Sequence, residues 1–221
     1  MDDGSRNVKE SIALLKRLNE QGVDTVIATP HFYANDESVD AFLARRRQAY
    51  ENLSAQRLEN EPRIRLGAEV RYYPGISRME NLTRLCIEGT KLLLLEMPTS
   101  EWTEYTVREL LEMASTKGVT LILAHVERVL PLQRKRTLDT LVQNGVLMQI
   151  NAAFLDGFFS KRKALKLLKA GSVQFVGSDC HGLKTRPPEM DKAFQIVKEK
   201  LGSRFLKQMN EYGQHLLVEN K

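Results

Sequence analysis

Histidines and acids follow apolar segments in several parts of this chain of 221 residues. The clearest case is the segment 173–181, in which an apolar run bounded by Gly177 leads to Asp179 and His181. If the extended backbone continues through Asp179, residues two apart project to the same side of the strand. A carboxylate and an imidazole that converge can bind a divalent metal ion. Taken alone, the pair is better explained as a turn aspartate and a surface histidine.

Other candidate ligands also stand at or near the ends of predicted strands: His31, Glu69, Glu96 and His125. Each has a plainer explanation, as a surface acid, a helix cap or a hydrogen-bonded core histidine. Together they favour a metal site, because charged groups clustered at the ends of buried strands need compensation. Imidazole and carboxylate ligands without cysteine favour Mn, Fe or Zn, and carboxylates that can bridge indicate more than one ion.

Two arginines stand beside these residues, Arg128 three residues after His125 and Arg186 five residues after His181. The guanidinium fork suits a tetrahedral phosphate, although exposed arginines also form ordinary salt bridges. A bound metal ion lowers the pKa of water towards about 7. The combination therefore predicts metal-dependent hydrolysis of a phosphate ester.

The elements that must position these side chains alternate along the chain. Gly22, Gly118, Gly145 and Gly171 each separate a helical pattern from a strand pattern, as glycine does after a helix. The predicted strands are 23–28, 64–70, 91–95, 119–124, 146–150 and 172–176. This alternation predicts one α/β domain over residues 1–221 with a mainly parallel sheet or barrel, whose carboxyl edge holds the site.

The first helix is predicted to begin at Asn7, with Glu10 completing a capping box, and to end at Gly22. Further helices are predicted over 40–58, 76–88, 103–117, 131–144, 160–170 and 188–201. The tail from residue 203 is interpreted as an amphipathic helix that docks on the body. His215 in this tail lies away from every strand end and is interpreted as structural or exposed.

Composition narrows the class of protein. The chain has no apolar run near the roughly 20 residues of a membrane span, no signal peptide and only two cysteines, so we expect a soluble, cytoplasmic protein without membrane insertion. The net charge of +5 permits nucleic-acid binding. The basic runs 45–47, 134–136 and 161–163 lie within helical patterns without interleaved aromatics, which favours solvated helix faces and no nucleic-acid partner.

A competing phosphatase mechanism uses a cysteine. Cys180 and Arg186 match the spacing Cys-x5-Arg of cysteine-dependent tyrosine phosphatases, in which a thiolate of low pKa attacks phosphorus. Two prolines follow Arg186 and disfavour a helix start there. Strand alternation also directs Cys180 away from Asp179 and His181, so the metal mechanism is favoured.

In combination, the motifs resemble the PHP fold (polymerase and histidinol phosphatase). More narrowly, the chain resembles the manganese-dependent tyrosine-protein phosphatases of bacterial capsule and exopolysaccharide clusters, the CpsB/CapC type. The motifs that carry the resemblance are Asp2-Asp3-Gly, Ala28-Thr-Pro-His31, Gly67-Ala-Glu69, Leu95-Glu96-Met, Ala124-His-Val-Glu-Arg128, and Gly177-Ser-Asp-Cys-His181 with Arg186-Pro-Pro188.

The resemblance implies a distorted TIM-like (β/α)7 barrel with a multinuclear Mn²⁺ site, Fe or Zn being alternatives. Its substrate would be phosphotyrosine on a tyrosine autokinase of polysaccharide export. By position, Asp3, His31 and His181 match the ligands of one metal. Glu69, Glu96 and His125 match the ligands of a second, Glu69 and Asp179 match part of a third, and Arg128 and Arg186 match the phosphate-binding arginines. A homo-oligomer remains open.

The sequence departs from this family at its start. Family members begin with a strand ending in Asp-x-His-x-His, whereas Asp2-Asp3-Gly here directly follows Met1. We therefore expect a barrel without its first strand, weaker metal binding and low activity, and hypothesise that Met1 is internal to a longer protein. Two other functions stay open: another phosphoesterase of this fold, such as a histidinol-phosphate hydrolase, or a non-catalytic relative that binds a phosphorylated tail through Arg128 and Arg186.

Overall fold

A computed structural model of the chain describes residues 3–56, 61–116 and 118–219. In this part of the chain the α-helices are α1 Val8–Glu20, α2 Val39–Ser54, α3 Glu104–Thr116, α4 Lys135–Gln143, α5 Ala152–Asp156, α6 Ser160–Lys169, α7 Met190–Leu201 and α8 Ser203–Glu219. The strands are β1 Thr25–Ala28, β2 His31–Phe32, β3 Arg63–Leu66, β4 Glu69–Arg71, β5 Leu92–Glu96, β6 Thr120–Leu123, β7 Leu147–Asn151 and β8 Phe175–Gly177.

Every strand pairing is parallel, as the alternation of helices and strands predicts. One sheet has the order β2-β4-β5-β6-β7-β8, and a second consists of β1 and β3. Among the described residues no pairing joins β1 to β8, so these strands do not form a closed barrel. The mixed α/β fold with parallel sheets is confirmed.

The predicted strand over 64–70 is wrong as a single element, because it is broken at Gly67 and Ala68 into β3 and β4. In the neighbouring segment, Pro30 lies between β1 and β2 and has no N–H to donate to a strand pairing. The two segments approach closely here, since a Cβ on Gly67 would lie 3.1 Å from Thr29 Cγ2. Beyond these breaks the two segments continue as β2 and β4, which both belong to the larger sheet.

The start of α1 confirms Asn7 as the N-cap, but Glu10 binds the N–H of Arg6 rather than that of Asn7, which a capping box would require. Asn7 Oδ1 accepts a hydrogen bond from the Glu10 backbone N–H at 3.0 Å, and the Glu10 carboxylate accepts one from the Arg6 N–H at 2.8 Å. The four predicted junction glycines all have positive φ, between 64° and 82°. Such angles are left-handed, so glycine takes them without the steric cost that a Cβ imposes.

The predicted helix over 76–88 is wrong. The segment forms two short 3-10 helices, Ile76–Arg78 and Leu82–Leu85. The first is followed by Met79 and the second by Cys86, where the backbone becomes extended, with ψ of 120° and 160°. Glu109 of α3 accepts hydrogen bonds from the backbone N–H groups of Gly75 and Ser77 at the start of the first. The apolar spacing that suggested a helix instead buries Ile76, Leu82 and Leu85.

Other helix ends also differ from expectation. Helix α2 ends at Ser54, and residues 57 and 58 of its predicted range lie outside the described residues, as do residue 117 and residues 220–221 of the tail. The short helix α5 was not predicted. The tail forms α8, on which His215 is exposed, as expected.

No helix in the described ranges combines the length and the apolar character that crossing a bilayer requires.

The core has two parts, on opposite faces of the larger sheet. Along β5, Leu93 and Leu95 pack with the helices, whereas Leu92 and Leu94 pack in a second apolar cluster inside the fold. The end of α8 joins this inner cluster through Leu216 and Leu217. A cavity of about 670 Å³, lined by residues of both β1 and β8, opens onto the inner cluster and reaches the predicted site.

Candidate metal centre

Four of the predicted site residues lie on four neighbouring strands of the larger sheet or just after them. His31 begins β2, Glu69 begins β4, and the two are partners in the β2–β4 register. Glu96 ends β5, and His125 comes two residues after β6. Parallel pairing therefore gathers side chains that are far apart in the sequence, as expected for this edge of an α/β sheet.

Three of these residues form an inner group: Glu69, Glu96 and His125. His125 Nε2 lies 2.8 Å from Glu69 Oε1 and 3.7 Å from Glu96 Oε1. The other oxygen of Glu96, Oε2, lies 2.7 Å from Arg71 Nη1. All three are buried, and buried carboxylates are stable only with compensating charge or hydrogen bonds.

His31 connects the inner group to Asp3 and His181. Its Nε2 lies 3.8 Å from Glu69 Oε1, while its Nδ1 lies 3.4 Å from Asp3 Oδ1. The same Asp3 oxygen lies 3.4 Å from His181 Nε2. The side chains that could bind metal ions therefore form one continuous chain of close contacts.

Asp179 is the centre of an outer group, which also contains Asp3, His181, Arg128 and Arg186. Asp179 Oδ2 accepts hydrogen bonds from Arg128 Nη2 at 2.6 Å and from Arg186. Burial would raise the pKa of Asp179, but the Arg186 hydrogen bond and the charges of both arginines hold it below its ordinary value. Asp179 is therefore an anion that brings two guanidinium groups together.

Backbone strain is concentrated at this site. In the described part of the chain, the non-glycine residues with positive φ are His125 at 32°, Asp179 at 50° and Arg186 at 54°. Such conformations cost about 1–3 kcal/mol each and persist where the surroundings enforce them, often at functional sites. All three residues were singled out from the sequence for their chemistry.

The expectation that a strand continues through Asp179 is wrong, since β8 ends at Gly177 and Asp179 is left-handed. The turn is closed by a hydrogen bond from the His181 N–H to the Arg186 carbonyl at 3.0 Å, and Arg186 Nη1 lies 2.9 Å from His181 Nε2. Asp179 Oδ1 and His181 Nδ1 are nevertheless only 3.8 Å apart. A tight turn rather than strand alternation brings the pair together.

The cysteine mechanism does not fit this geometry. Burial raises the pKa of Cys180, whereas a nucleophilic thiolate needs a lowered one. Arg186 is left-handed and paired with Asp179 rather than placed at a helix start. Burial also raises the pKa of the other cysteine, Cys86, to about 11. Both cysteines are therefore unsuited to thiolate chemistry.

Three residues of the site were not predicted from the sequence. Asn151 ends β7 and donates from Nδ2 to Asp179 Oδ2 at 2.7 Å. The Glu127 carboxylate accepts a hydrogen bond from the Asn151 backbone N–H at 3.3 Å, and burial raises its pKa. Arg71, at the end of β4, pairs with Glu96. The sequence search considered only histidines and acids at the ends of predicted strands. The same search with amide side chains included would have found Asn151.

One basic run also differs from expectation. Arg46 was predicted to lie on a solvated helix face, but its Nη1 donates to the Gly67 carbonyl at 2.6 Å, and burial lowers its pKa. The guanidinium also lies 5.6 Å from the centre of the Phe42 ring. Arg46 thereby ties α2 to the bend between β3 and β4.

The donor set fits divalent metal ions. Ligand atoms of His31, Glu69 and Glu96 all lie within 4.8 Å of one another. Two donor atoms that each lie about 2.1 Å from one ion are about 3.0 Å apart at an octahedral angle and about 3.4 Å apart at a tetrahedral angle. Asp3 Oδ1 lies 3.4 Å from a ring nitrogen of His31 and 3.4 Å from one of His181, which is close to these separations. Asn151 Oδ1 is buried without a hydrogen-bond partner in the described part of the chain, which is unusual unless a ligand or water is present.

Comparison with known proteins identifies the family. The family model described as "Capsular polysaccharide synthesis, CpsB/CapC" matches residues 1–219. The chain belongs to the CpsB/CapC family. One CpsB/CapC relative is the tyrosine-protein phosphatase YwqE of Bacillus subtilis, 28% identical over 98% of this chain and 87% of YwqE. Another is the putative tyrosine-protein phosphatase CapC of Staphylococcus aureus, 30% identical over 90% of this chain and 80% of CapC.

Solved structures agree with this CpsB/CapC membership. A chain from the crystal structures of YwqE from Bacillus subtilis and CpsB from Streptococcus pneumoniae, described as metal-dependent tyrosine phosphatases, matches with a TM-score of 0.82. The identity is 26%, and the match covers 100% of this chain and 91% of that chain. A chain of archaeal ribonuclease P matches with a TM-score of 0.61 at 14% identity, which shows a shared fold alone.

Proposed function

We propose that this CpsB/CapC protein is a metal-dependent protein-tyrosine phosphatase. Its substrate would be a tyrosine-phosphorylated kinase of capsule or exopolysaccharide export. The observation that carries the proposal is one continuous set of contacts, from the buried acids Glu69 and Glu96 through His31 and Asp3 to the paired arginines on Asp179. The relatives named as tyrosine phosphatases support the same reaction.

The residues divide by the ions they would hold. Glu69, Glu96 and His125 would hold one metal, and Asp3, His31 and His181 would hold another, with Glu69 and Asp179 contributing to a third. Mn²⁺ is the proposed ion, with Fe and Zn as alternatives for the same oxygen and nitrogen donors. When bound, such ions would supply Lewis acidity and lower the pKa of a water molecule for hydrolysis.

The arginines would bind the phosphoryl group. Arg128 and Arg186 are each partly exposed, with 37% and 39% of the side chain accessible, and both already hold an anionic oxygen of Asp179. A phosphoryl oxygen is a similar acceptor with more charge, so it can take over these hydrogen bonds. Asn151, which donates to the same Asp179 oxygen, would keep that carboxylate in place during the exchange.

The proposal includes a finer description of the fold. The two sheets share an interior, and the cavity of about 670 Å³ lies where strands β1 and β8 both present unpaired edges among the described residues. This arrangement supports a PHP-type distorted (β/α) barrel with a gap between β1 and β8. Residues 1–221 would form one catalytic domain, acting in the cytoplasm, where tyrosine kinases use ATP.

The test is phosphate release from a phosphotyrosine peptide. We expect turnover that EDTA abolishes and Mn²⁺ restores. A panel with phosphoserine peptide and histidinol phosphate distinguishes the substrate class, since preference for a small phosphate ester would favour a different phosphoesterase. Phosphopeptide binding without release at any Mn²⁺ concentration would contradict the enzymatic proposal and favour a non-catalytic binding protein.

A further inference from the structure

Two adjacent phenylalanines project into solvent between α5 and α6. The side chains of Phe158 and Phe159 are 89% and 91% exposed, the highest values for large apolar residues in the described part of the chain. Their rings pack edge to face, with centroids 5.0 Å apart. Exposing so much aromatic surface to water is unfavourable, and such patches mark sites of interaction.

The helix that follows is strongly basic. Helix α6 has the sequence SKRKALKLLK, with Ala164 and Leu168 buried against the body. It carries five cationic side chains and no acidic one: Lys161, Arg162, Lys163, Lys166 and Lys169. None of the five forms an ion pair with a described acidic residue, whereas Lys192 on α7 pairs with both Asp156 and Glu189. The positive charge of α6 therefore remains available to an anionic partner.

The same combination recurs on the neighbouring loops. After β6, Leu132 is 44% exposed and precedes the basic residues 134–136, of which Arg134 and Lys135 pair with Glu101 and Asp139. After β8, Leu183 is 44% exposed and precedes Lys184. These loops and the Phe158–Phe159 tip follow the carboxyl ends of three adjacent strands. The apolar and basic residues are thus on the edge of the sheet that holds the candidate metal centre.

We propose that Phe158, Phe159 and the basic face of α6 dock this protein on the surface of an anionic lipid bilayer. A bilayer interface accepts protruding aromatic side chains, while lysine and arginine beside them contact anionic headgroups. The phenylalanines stand on a protruding tip and neither lines the cavity between β1 and β8, which suits insertion into an interface better than binding of a peptide in a groove. A symmetric dimer through this surface would bring two α6 helices of the same charge together. Docking would turn the site opening towards the membrane surface.

The experiment is sedimentation of the full chain with lipid vesicles. One set contains phosphatidylcholine alone, and the other contains phosphatidylcholine and phosphatidylglycerol in equal amounts. We expect the protein to sediment with the anionic vesicles and to remain in solution with the neutral ones. Added salt should weaken the binding, because screening reduces the attraction between α6 and the headgroups.

Paired variants separate the two contributions. The double variant F158S/F159S and the triple variant K161E/R162E/K163E should each weaken binding to anionic vesicles at least about tenfold. The controls Y105S and K200E replace an exposed aromatic and an exposed lysine elsewhere on the surface and should bind as the unaltered protein does. All variants should hydrolyse a soluble phosphotyrosine peptide at the unaltered rate, which shows that they are folded.

Four results would overturn the proposal. Equal binding to neutral and anionic vesicles would remove the role of charge, and unaltered binding by F158S/F159S would remove the role of the phenylalanines. Absence of vesicle binding, together with binding of an acidic peptide that F158S/F159S abolishes, would make this surface a polypeptide site. A dimer in sedimentation velocity that the same variant dissociates would make it an interface between two copies.

Discussion

The two halves of the candidate site differ in how they are built. The inner group stands at the start of β4, at the end of β5 and just after β6, and its side chains are between 4% and 12% exposed. The outer group stands on loops and turns; its Asp179 and His181 are 9% and 14% exposed, but Asp3 is 61% exposed and both arginines are more than one-third exposed. His31 joins the two halves by contacts of 3.4 and 3.8 Å.

This difference indicates a division of labour. In a buried setting, electrostatic interactions are strong and unpaired charges are costly, so the inner group is suited to retain cations. The two arginines of the outer group are partly exposed and can exchange their partners with solvent, so they are suited to bind and release a charged substrate. Changes to the inner group should therefore reduce both metal content and turnover, whereas changes to Arg128 or Arg186 should reduce turnover alone.

The largest effect is expected at Glu69. The variant Glu69→Gln replaces an anionic oxygen that contacts both His31 and His125. We expect it to lower kcat/KM by more than about 100-fold, because losing a metal ligand should cost more than the roughly 10–100-fold loss seen when a residue that only supports a ligand is changed. Metal bound per chain, measured by inductively coupled plasma mass spectrometry, should fall with it. The control Glu80→Gln, at an exposed acid, should change neither quantity. Full metal content in Glu69→Gln would contradict the role of the inner group.

Arg128 tests the outer group. The variant Arg128→Lys keeps the charge but loses the fork that can hold two oxygens, and we expect kcat/KM for a phosphotyrosine peptide to fall about 100-fold. Metal content should stay as in the unaltered protein. Arg136→Lys, at an exposed position on α4, is the matched control. If Arg128→Lys lost metal as Glu69→Gln does, the two halves would not be separable.

Asn151 should have a smaller effect, because it acts through Asp179. Removing its amide in Asn151→Ala takes one of three donors from the Asp179 oxygen, and we expect turnover to fall about tenfold. Asn144→Ala, at an exposed amide after α4, is the control. A steady-state assay with the phosphopeptide checks the result, and unaltered turnover would show that Arg128 and Arg186 suffice to position Asp179.

Glu109 should affect stability and leave turnover nearly unchanged. Burial would raise its pKa, but hydrogen bonds from Tyr72, Gly75 and Ser77 together hold it below the ordinary value of 4.5. A lowered pKa stabilises the fold above the unfolded value, and this contribution is lost as the pH falls through the folded pKa. Glu109→Gln should lower the free energy of unfolding by about 1–3 kcal/mol at neutral pH, with a smaller difference at acidic pH. Urea unfolding of both proteins at several pH values measures the difference in their free energies of unfolding. A difference that does not change with pH would contradict the role of the Glu109 charge.

The smallest effect on turnover is expected at Cys180. Because burial raises the pKa of its thiol, we expect Cys180→Ser to keep turnover within about threefold of the unaltered rate. The same phosphopeptide assay, with and without EDTA, provides the comparison. Complete loss of turnover in Cys180→Ser, together with turnover by the unaltered protein that EDTA does not reduce, would favour the thiolate mechanism.

The sequence predicted the inner group better than the outer group, for a physical reason. Glu96 and His125 follow apolar runs of strand length, so their place at the sheet edge follows from parallel pairing. The left-handed turn at Asp179 depends on contacts among Asp179, His181 and Arg186, and strand periodicity does not contain that information. Periodicity likewise does not contain the break at Gly67 or the division of residues 76–85 into two 3-10 helices.

Anomalous X-ray diffraction from crystals of the Mn²⁺-loaded protein, recorded on both sides of the manganese absorption edge, tests the central claim most directly. The account predicts manganese peaks about 2.0–2.2 Å from donor atoms of Glu69, Glu96 and His125, and of Asp3, His31 and His181. Protein that hydrolyses phosphotyrosine in the crystallisation solution, yet shows no manganese at these side chains, would contradict it.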